Sequence, residues 1–392
     1  CLLVVLIAAL CLYMFVFRSG GAGDDTSDRT SESANSETGE SEEASDISVE
    51  STEDISDSSV SDDTSPNESE ETSHTGTDVS DESREEIAEH GWVINSLGYT
   101  YLYYGIGLEQ FTYSSSTLDK YVSSLHNLNS VSGNSNFYHI LVPTRCEFIE
   151  FSQEIKKEFY IANQRQFMNG VFENTDAEIK NIDLYNVFKE KYDNGEYIYF
   201  NTDPNYTHIA AYAAYAEYCK AAGITPISDS FYTAQTVAYS FYGKFYTATG
   251  AEMLYENSDI VYYYDIDEAY KSQISIYKSQ GVVKKDGVVF FDVPSYCYYS
   301  FLSDEAAKIE ITTKVNTGKS ILVIGDSSAA PFVTFLVPHY DKITYINSSL
   351  CSTSILDLLS SGTYNDIVVI NYNTTAARTV SDAQNILAGI VS

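Results

Sequence analysis

Residues 320–325 read Ser-Ile-Leu-Val-Ile-Gly and run directly into Asp326-Ser327-Ser328. A β-branched apolar run with no polar alternation has no face to show to water. It must be a strand covered on both sides, the usual condition of a parallel sheet with helical crossovers. Phe137–Val142, Ile343–Asn347 and Ile367–Asn371 are runs of the same kind. Between them the chain is helical in pattern. The serines at 114–116 cap a helix whose Leu118, Tyr121, Val122, Leu125 and Leu128 recur at three and four residues. Residues 151–169 are expected to be helical, Ile182–Phe188 leads to a short helix, and a helix follows the serine corner as far as Val337. Further helices are expected near 354–360 and from Ser381 onward. Trp92–Asn95 and Thr100–Gly105 read as an opening pair of strands about the turn at Ser96, Leu97 and Gly98, and Tyr197–Phe200 as an aromatic strand. The fold class expected is therefore α/β, a mostly parallel sheet flanked by helices on both faces.

Residues 224–300 interrupt that rhythm. Short β-like runs, Ile260–Asp265 and Gly287–Val293, are separated by turn-like stretches such as Lys284-Lys285-Asp286-Gly287. They predict a β-rich, tyrosine-rich insertion lying as a lid across one end of the sheet. Lys308–Thr313 and the Asn316-Thr317-Gly318 turn then lead back to the serine strand.

The amino-terminal quarter cannot contribute to this core. Residues 24–89 hold 24 acidic side chains against Arg29 and Arg84, so they carry −22 of the chain's −34 and leave −12 for everything else. Filled with Ser and Thr and lacking aromatics, the segment cannot bury enough apolar surface to offset ordering entropy, and is expected to be an extended, disordered spacer. Such acidity argues against nucleic acid as a partner. Residues 1–17 are apolar and uncharged up to Arg18. They are expected to form a membrane anchor, truncated at its start since no Met opens it. A cleaved signal peptide competes, without a clear Ala-x-Ala site. The expected organisation is an anchor at 1–18, a linker at 19–88 and a folded domain at 89–392. Cys146, Cys219, Cys297 and Cys351 lie outside the apolar run, with no C-x-x-C pair and no neighbouring His. They imply no zinc site, and either up to two disulfides or four buried thiols. No cofactor or metal is implied.

Ser327 sits where a parallel strand meets the following helix. Raised at the carboxyl end of the sheet beside a helix amino terminus, it is placed for a nucleophile with an oxyanion site; Asp and Ser there are equally the ordinary capping residues. Gly318-Lys319-Ser320 is not a phosphate loop: the glycine needed five positions earlier is Thr313, and a strand follows instead of a helix.

Strand, Gly-Asp-Ser, helix, Pro338-His339-Tyr340 and a second short strand together resemble the serine block of the DHHW group of SGNH-hydrolase-like proteins, which are similar to the alginate O-acetylation proteins. Residues 197–219, YIYFNTDPNYTHIAAYAAYAEYC, resemble the surroundings of that group's Asp-His-His-Trp motif. The motif itself here is Asp203-Pro204-Asn205-Tyr206. Residues 141–148 and 240–250 extend the likeness, which runs over about 90–392. The resemblance implies an SGNH-hydrolase-like fold, Ser327 as nucleophile, Asp203 as orienting carboxylate, and Asn205 in place of the histidine base. An amide cannot take up a proton at neutral pH. Among the other histidines, His208, three residues on, is the one placed as a substitute base. Two functions follow as expectations. The first is a catalytically impaired protein of the cell envelope that binds polysaccharide or serves as a subunit of an acylation system beside a membrane acyltransferase. The other is an active serine O-acetyltransferase or esterase on cell-surface polysaccharide. In both, the large domain lies outside the cell on a single-pass anchor.

Overall fold

The computed structural model describes residues 90–95, 98–265, 270, 272–278, 281–287, 306–351, 355, 358–359 and 364–378. The expected anchor, acidic linker and closing helix fall outside these, as does Gly287–Val293 beyond its first residue. Among the described residues no helix is long and apolar enough to cross a membrane.

The serine strand, β11 (Ser320–Gly325), lies within the main sheet, buried from Ile321 to Gly325. Parallel neighbours flank it: β12 (Lys342–Asn347) pairs Ile321 with Ile343 and Gly325 with Asn347, and β13 (Asp366–Tyr372) pairs Val323 with Val368 and Gly325 with Ile370. Outward from β13 come β4 (Asn136–Val142) and β5 (Ile179–Asp183), also parallel. On the other side β10 (Lys308–Thr312), β8 (Ser272–Lys278) and β9 (Gly281–Gly287) continue the sheet antiparallel, in the order β5-β4-β13-β11-β12-β10-β8-β9.

Alternation along each strand divides the core between two faces. Leu322, Ile324, Ile346, Ile367 and Val369 pack on one side with α1 (Ser115–Ser130), α2 (Gln153–Phe159) and α3 (Gln164–Asn174). Ile321, Val323, Ile343, Val368 and Ile370 pack on the other, against α5 (His208–Ala222) and α8 (Ala329–Thr334). Between β5 and α5 lies α4 (Tyr185–Asp193). Helix α5 is rich in alanine because its small side chains let it sit close to its neighbours; Ala210, Ala211, Ala213 and Ala214 are all buried. It ends at Gly223, whose φ of 67° closes a left-handed cap with Ile224 N donating to Cys219 O.

Two smaller sheets complete the domain: β1 (His90–Asn95), β2 (Gly98–Tyr103) and β3 (Ile106–Glu109) form an antiparallel sheet, and β6 (Thr233–Phe241) pairs with β7 (Asp259–Asp265). Helices α6 (Lys244–Thr249) and α7 (Glu252–Glu256) lie between β6 and β7.

The structure corrects the sequence reading in four places. The tyrosine-rich region is not wholly a lid, because β8 and β9 extend the main sheet through β10. Lys284–Gly287 is no turn but the second half of β9, pairing with Ile274, Ser275 and their neighbours, with Lys284 exposed. The helix at 151–169 is two helices, broken where Tyr160 adopts φ 50°. Tyr197–Phe200 contributes only a bridge from Tyr199 to Tyr206. Of the cysteines, Cys146 and Cys219 are buried free thiols.

Candidate active-site cleft

Parallel strands aligned in register bring the residues after their carboxyl ends to one edge of the sheet. There Gly325 approaches β13 so closely that a Cβ would lie 2.4 Å from Ile370 O, which accounts for the glycine. Asp326 then fixes the corner. Its Oδ1 accepts from Ser328 N (2.9 Å) and Ser328 Oγ (2.5 Å), and its Oδ2 accepts from Tyr372 N (2.9 Å). Ser328, not Ser327, is the capping residue of α8, and it makes no side-chain cap bond. Ser327, one residue before the cap, is partly exposed.

The Asp203 turn arrives from the other side. Asp259, at the start of β7, is 1% exposed and accepts from Asn201 N and Thr202 N (2.7 Å each), from Thr202 Oγ1 (2.5 Å) and from Tyr197 OH. Burial pushes its carboxyl up in pKa, and these donors oppose the rise. So anchored, the turn presents Asp203, whose Oδ1 accepts from Asn205 N (3.0 Å) and Asn205 Nδ2 (2.6 Å), and whose Oδ2 accepts from Lys244 N (2.9 Å). Asn205 Oδ1 in turn accepts from Ser327 Oγ at 2.8 Å. Ser327, Asn205 and Asp203 therefore form one hydrogen-bonded chain. Tyr206 closes the turn over the serine corner, donating its N–H to Tyr372 OH and its own hydroxyl to Ser328 O.

His208 is not brought to this chain. It is 5% exposed, packs its ring on Tyr262 and Tyr264 of β7, and is absent from the cleft lining; burial lowers its pKa to about 4. The first turn of α5 sets it against the β6–β7 ribbon rather than in the Ser327–Asn205–Asp203 hydrogen-bonded chain. His339 is likewise structural, with Tyr215 OH at 2.6 Å from its Nε2.

The chain opens on a cavity of about 480 Å³. Its lining includes four residues the sequence did not single out: Glu109, Lys244, Asn347 and Arg378. Glu109 ends β3, with Arg378 Nη2 3.3 Å and Thr374 Oγ1 3.4 Å from its carboxylate oxygens. Burial in the cleft raises its pKa; Arg378 and Thr374 oppose the rise, while Asp326 and Asp203 add to it. A lone acid closing the apolar stretch Ile106–Leu108 was the only signal of it in the sequence.

At the helix amino terminus, where an oxyanion site was expected, the backbone donors that follow Ser327 have partners within the turn. Ser328 N bonds to Asp326 Oδ1, Ala329 N to Asp326 O and Ala330 N to Ser327 O, so all three backbone donors after Ser327 are used within the turn. Asn347, whose Oδ1 accepts from Ser349 N, brings a side-chain amide to the same cavity. Among the described residues no three His, Cys, Asp or Glu side chains group as a metal site requires.

A family model described as DHHW protein matches residues 25–346. Among solved structures, a DHHW family protein from Eubacterium siraeum superposes with a TM-score of 0.64 at 20% identity, covering 77% of this chain and 99% of that one. Bacillus cereus PatB1, solved with a sulfonyl adduct, superposes with a TM-score of 0.59 at 15% identity, covering 76% and 98%. These similarities concern the fold. No curated protein matches the chain.

Proposed function

This chain belongs to the DHHW family, and from that membership we propose that it is a catalytically impaired SGNH-like protein that binds cell-envelope polysaccharide, alone or as a subunit of an acylation system. One observation carries the reading: the position between Ser327 and Asp203, where a base would stand, is filled by the Asn205 amide, hydrogen-bonded on both sides. An amide oxygen accepts the serine proton as a hydrogen bond but cannot remove it. General-base help is worth about 10²–10⁴-fold, and His208, the histidine the sequence offered instead, is packed against Tyr262 and Tyr264. The three engaged amides after Ser327 point the same way. The family's likeness to the alginate O-acetylation proteins supports polysaccharide as ligand and a membrane acyltransferase as partner. The uncharged run at 1–17 supports a single-pass anchor, and the family resemblance supports the large domain outside the cell.

The Bacillus cereus neighbour solved with a sulfonyl adduct suggests the test. The full chain is treated with phenylmethylsulfonyl fluoride and Ser327 followed by peptide mass spectrometry. The wild type is expected to stay unmodified, and Asn205→His to acquire the adduct. Modification of wild-type Ser327 would overturn impairment and favour an active O-acetyltransferase or esterase at this serine.

A further inference from the structure

Helix α6 is bound at its first turn to the cleft. Gly243 N donates to Thr202 Oγ1 (2.8 Å), Lys244 N to Asp203 Oδ2 (2.9 Å) and Phe245 N to Thr202 O (2.9 Å), while Lys244 and Phe245 line the cavity. Its outer side is aromatic. At Gly250 the backbone turns through φ 63° and α7 follows after Ala251, which sets the Tyr255 ring parallel to that of Tyr242, 5.2 Å between centroids at 6°. Tyr246 joins both, at 4.9 Å from Tyr242 and 6.0 Å from Tyr255. Tyr255 is 55% exposed, and Tyr242 and Tyr246 are half-buried. The same helix α7 lines an open groove of about 800 Å³ with Met253, Glu256 and Asn257, facing Leu102 and a 43% exposed Tyr104. Among the described residues lining that groove none is basic, and Glu252 and Glu256 make it acidic.

We infer that this tyrosine platform and groove form outer subsites for an uncharged polysaccharide chain whose reach extends from the Ser327 cleft. The inference rests on the polysaccharide-binding reading above and adds where the chain runs and what charge it bears. The C–H faces of pyranose rings pack on exposed aromatic faces while the sugar hydroxyls and the phenols stay wet. Tyr242 stands two residues before Lys244, a lining residue of the cleft, on the stretch that is fastened to the Asp203 turn. The acidic groove repels uronate or phosphate polymers, which selects neutral sugars.

The test is isothermal titration of the full chain with cellohexaose, chitohexaose, xylohexaose and hexagalacturonate. At least one neutral hexasaccharide is expected to bind and hexagalacturonate to bind at least about tenfold more weakly. In the double variant Tyr242→Ala/Tyr255→Ala the neutral affinity should fall about tenfold or more, while Tyr255→Phe, which keeps the ring, should retain it. Binding that is lost in Lys244→Ala but unchanged in the double variant would preserve a polysaccharide-binding cleft and overturn the platform. Equal binding of hexagalacturonate would overturn the assigned charge class, and absence of binding to all three neutral probes would overturn both readings.

Discussion

Ser327 and Asp203 belong to one hydrogen-bonded chain but carry very different structural burdens. Asp203 is 2% exposed, and the donors to its two oxygens include two from Asn205 and one from the first peptide of α6. Removing that carboxylate strands buried N–H groups, each costing about 1–3 kcal/mol. Ser327 is partly exposed and lines the cavity, so truncating it leaves the Asn205 amide oxygen beside space that water can fill. We therefore expect Asp203→Ala to lower the unfolding free energy by about 2–4 kcal/mol and Ser327→Ala to stay within about 0.5 kcal/mol of wild type, both by urea denaturation. Comparable losses in the two variants would mean that the serine, too, is a structural member. Both residues were legible in the sequence because each ends a distinctive local pattern, an apolar strand into Gly-Asp-Ser and an aromatic run into an Ala-Tyr helix. Glu109, Lys244 and Arg378 were not, since what brings them to the cleft is tertiary: the end of a short strand in another sheet, the first turn of α6, and the residue after the last described helix, α9 (Asn373–Ala377).

At the scale of elements, the sheet shows how far patterning reaches. Strands buried on both faces announced themselves, as β4, β11, β12 and β13 did. Strands with one wet side did not: β8 and β9 mix polar and apolar residues, and their place beyond β10 depends on pairings distant in sequence that no local pattern encodes. The Asp203 turn is a similar case. Its conformation is imposed by β7 through Asp259, a residue more than fifty positions later whose only sequence signal is a single acid before the run Ile260–Tyr264. Asp259→Asn would place an amide where two backbone N–H groups and two hydroxyls now donate to a carboxylate. We expect a loss of about 2–4 kcal/mol in urea unfolding together with faster hydrogen exchange at Asn201 and Thr202. Exchange at those amides unchanged from wild type would show that the turn holds its shape without β7.

Across the whole molecule, histidines are sealed into both sides of the sheet. His139 on β4 meets Tyr121 and Asn181 on the side of α1 and α3, and burial lowers its pKa to about 4 despite the bond to Asn181. His208 and His339 lie toward α5 and are held at about 4 as well, chiefly by burial. A histidine near 6.5 when unfolded and near 4 when folded takes up its proton more readily unfolded. Its contribution is therefore full above about pH 6.5 and is withdrawn as pH falls toward 4. Glu109, Glu147 and Asp259 work in the opposite sense. Their folded pKa values are raised by burial, so their contribution is greatest at low pH and is lost as pH rises through the folded value. The acid limb of the stability curve is thus a contest, and its overall slope cannot be assigned to any one group. A difference isolates the histidine: the carboxylates contribute equally to wild type and to His139→Gln, which does not titrate there. Whatever the substitution costs at neutral pH, the stability of the variant relative to wild type should be constant above about pH 7. It should then move in the variant's favour by up to about 3 kcal/mol between pH 6.5 and 4, at about 1.4 kcal/mol per pKa unit. A difference that stays flat through that window would show His139 protonated in the fold, with the buried bond network around Tyr121 and Asn181 rearranged to hold a charge.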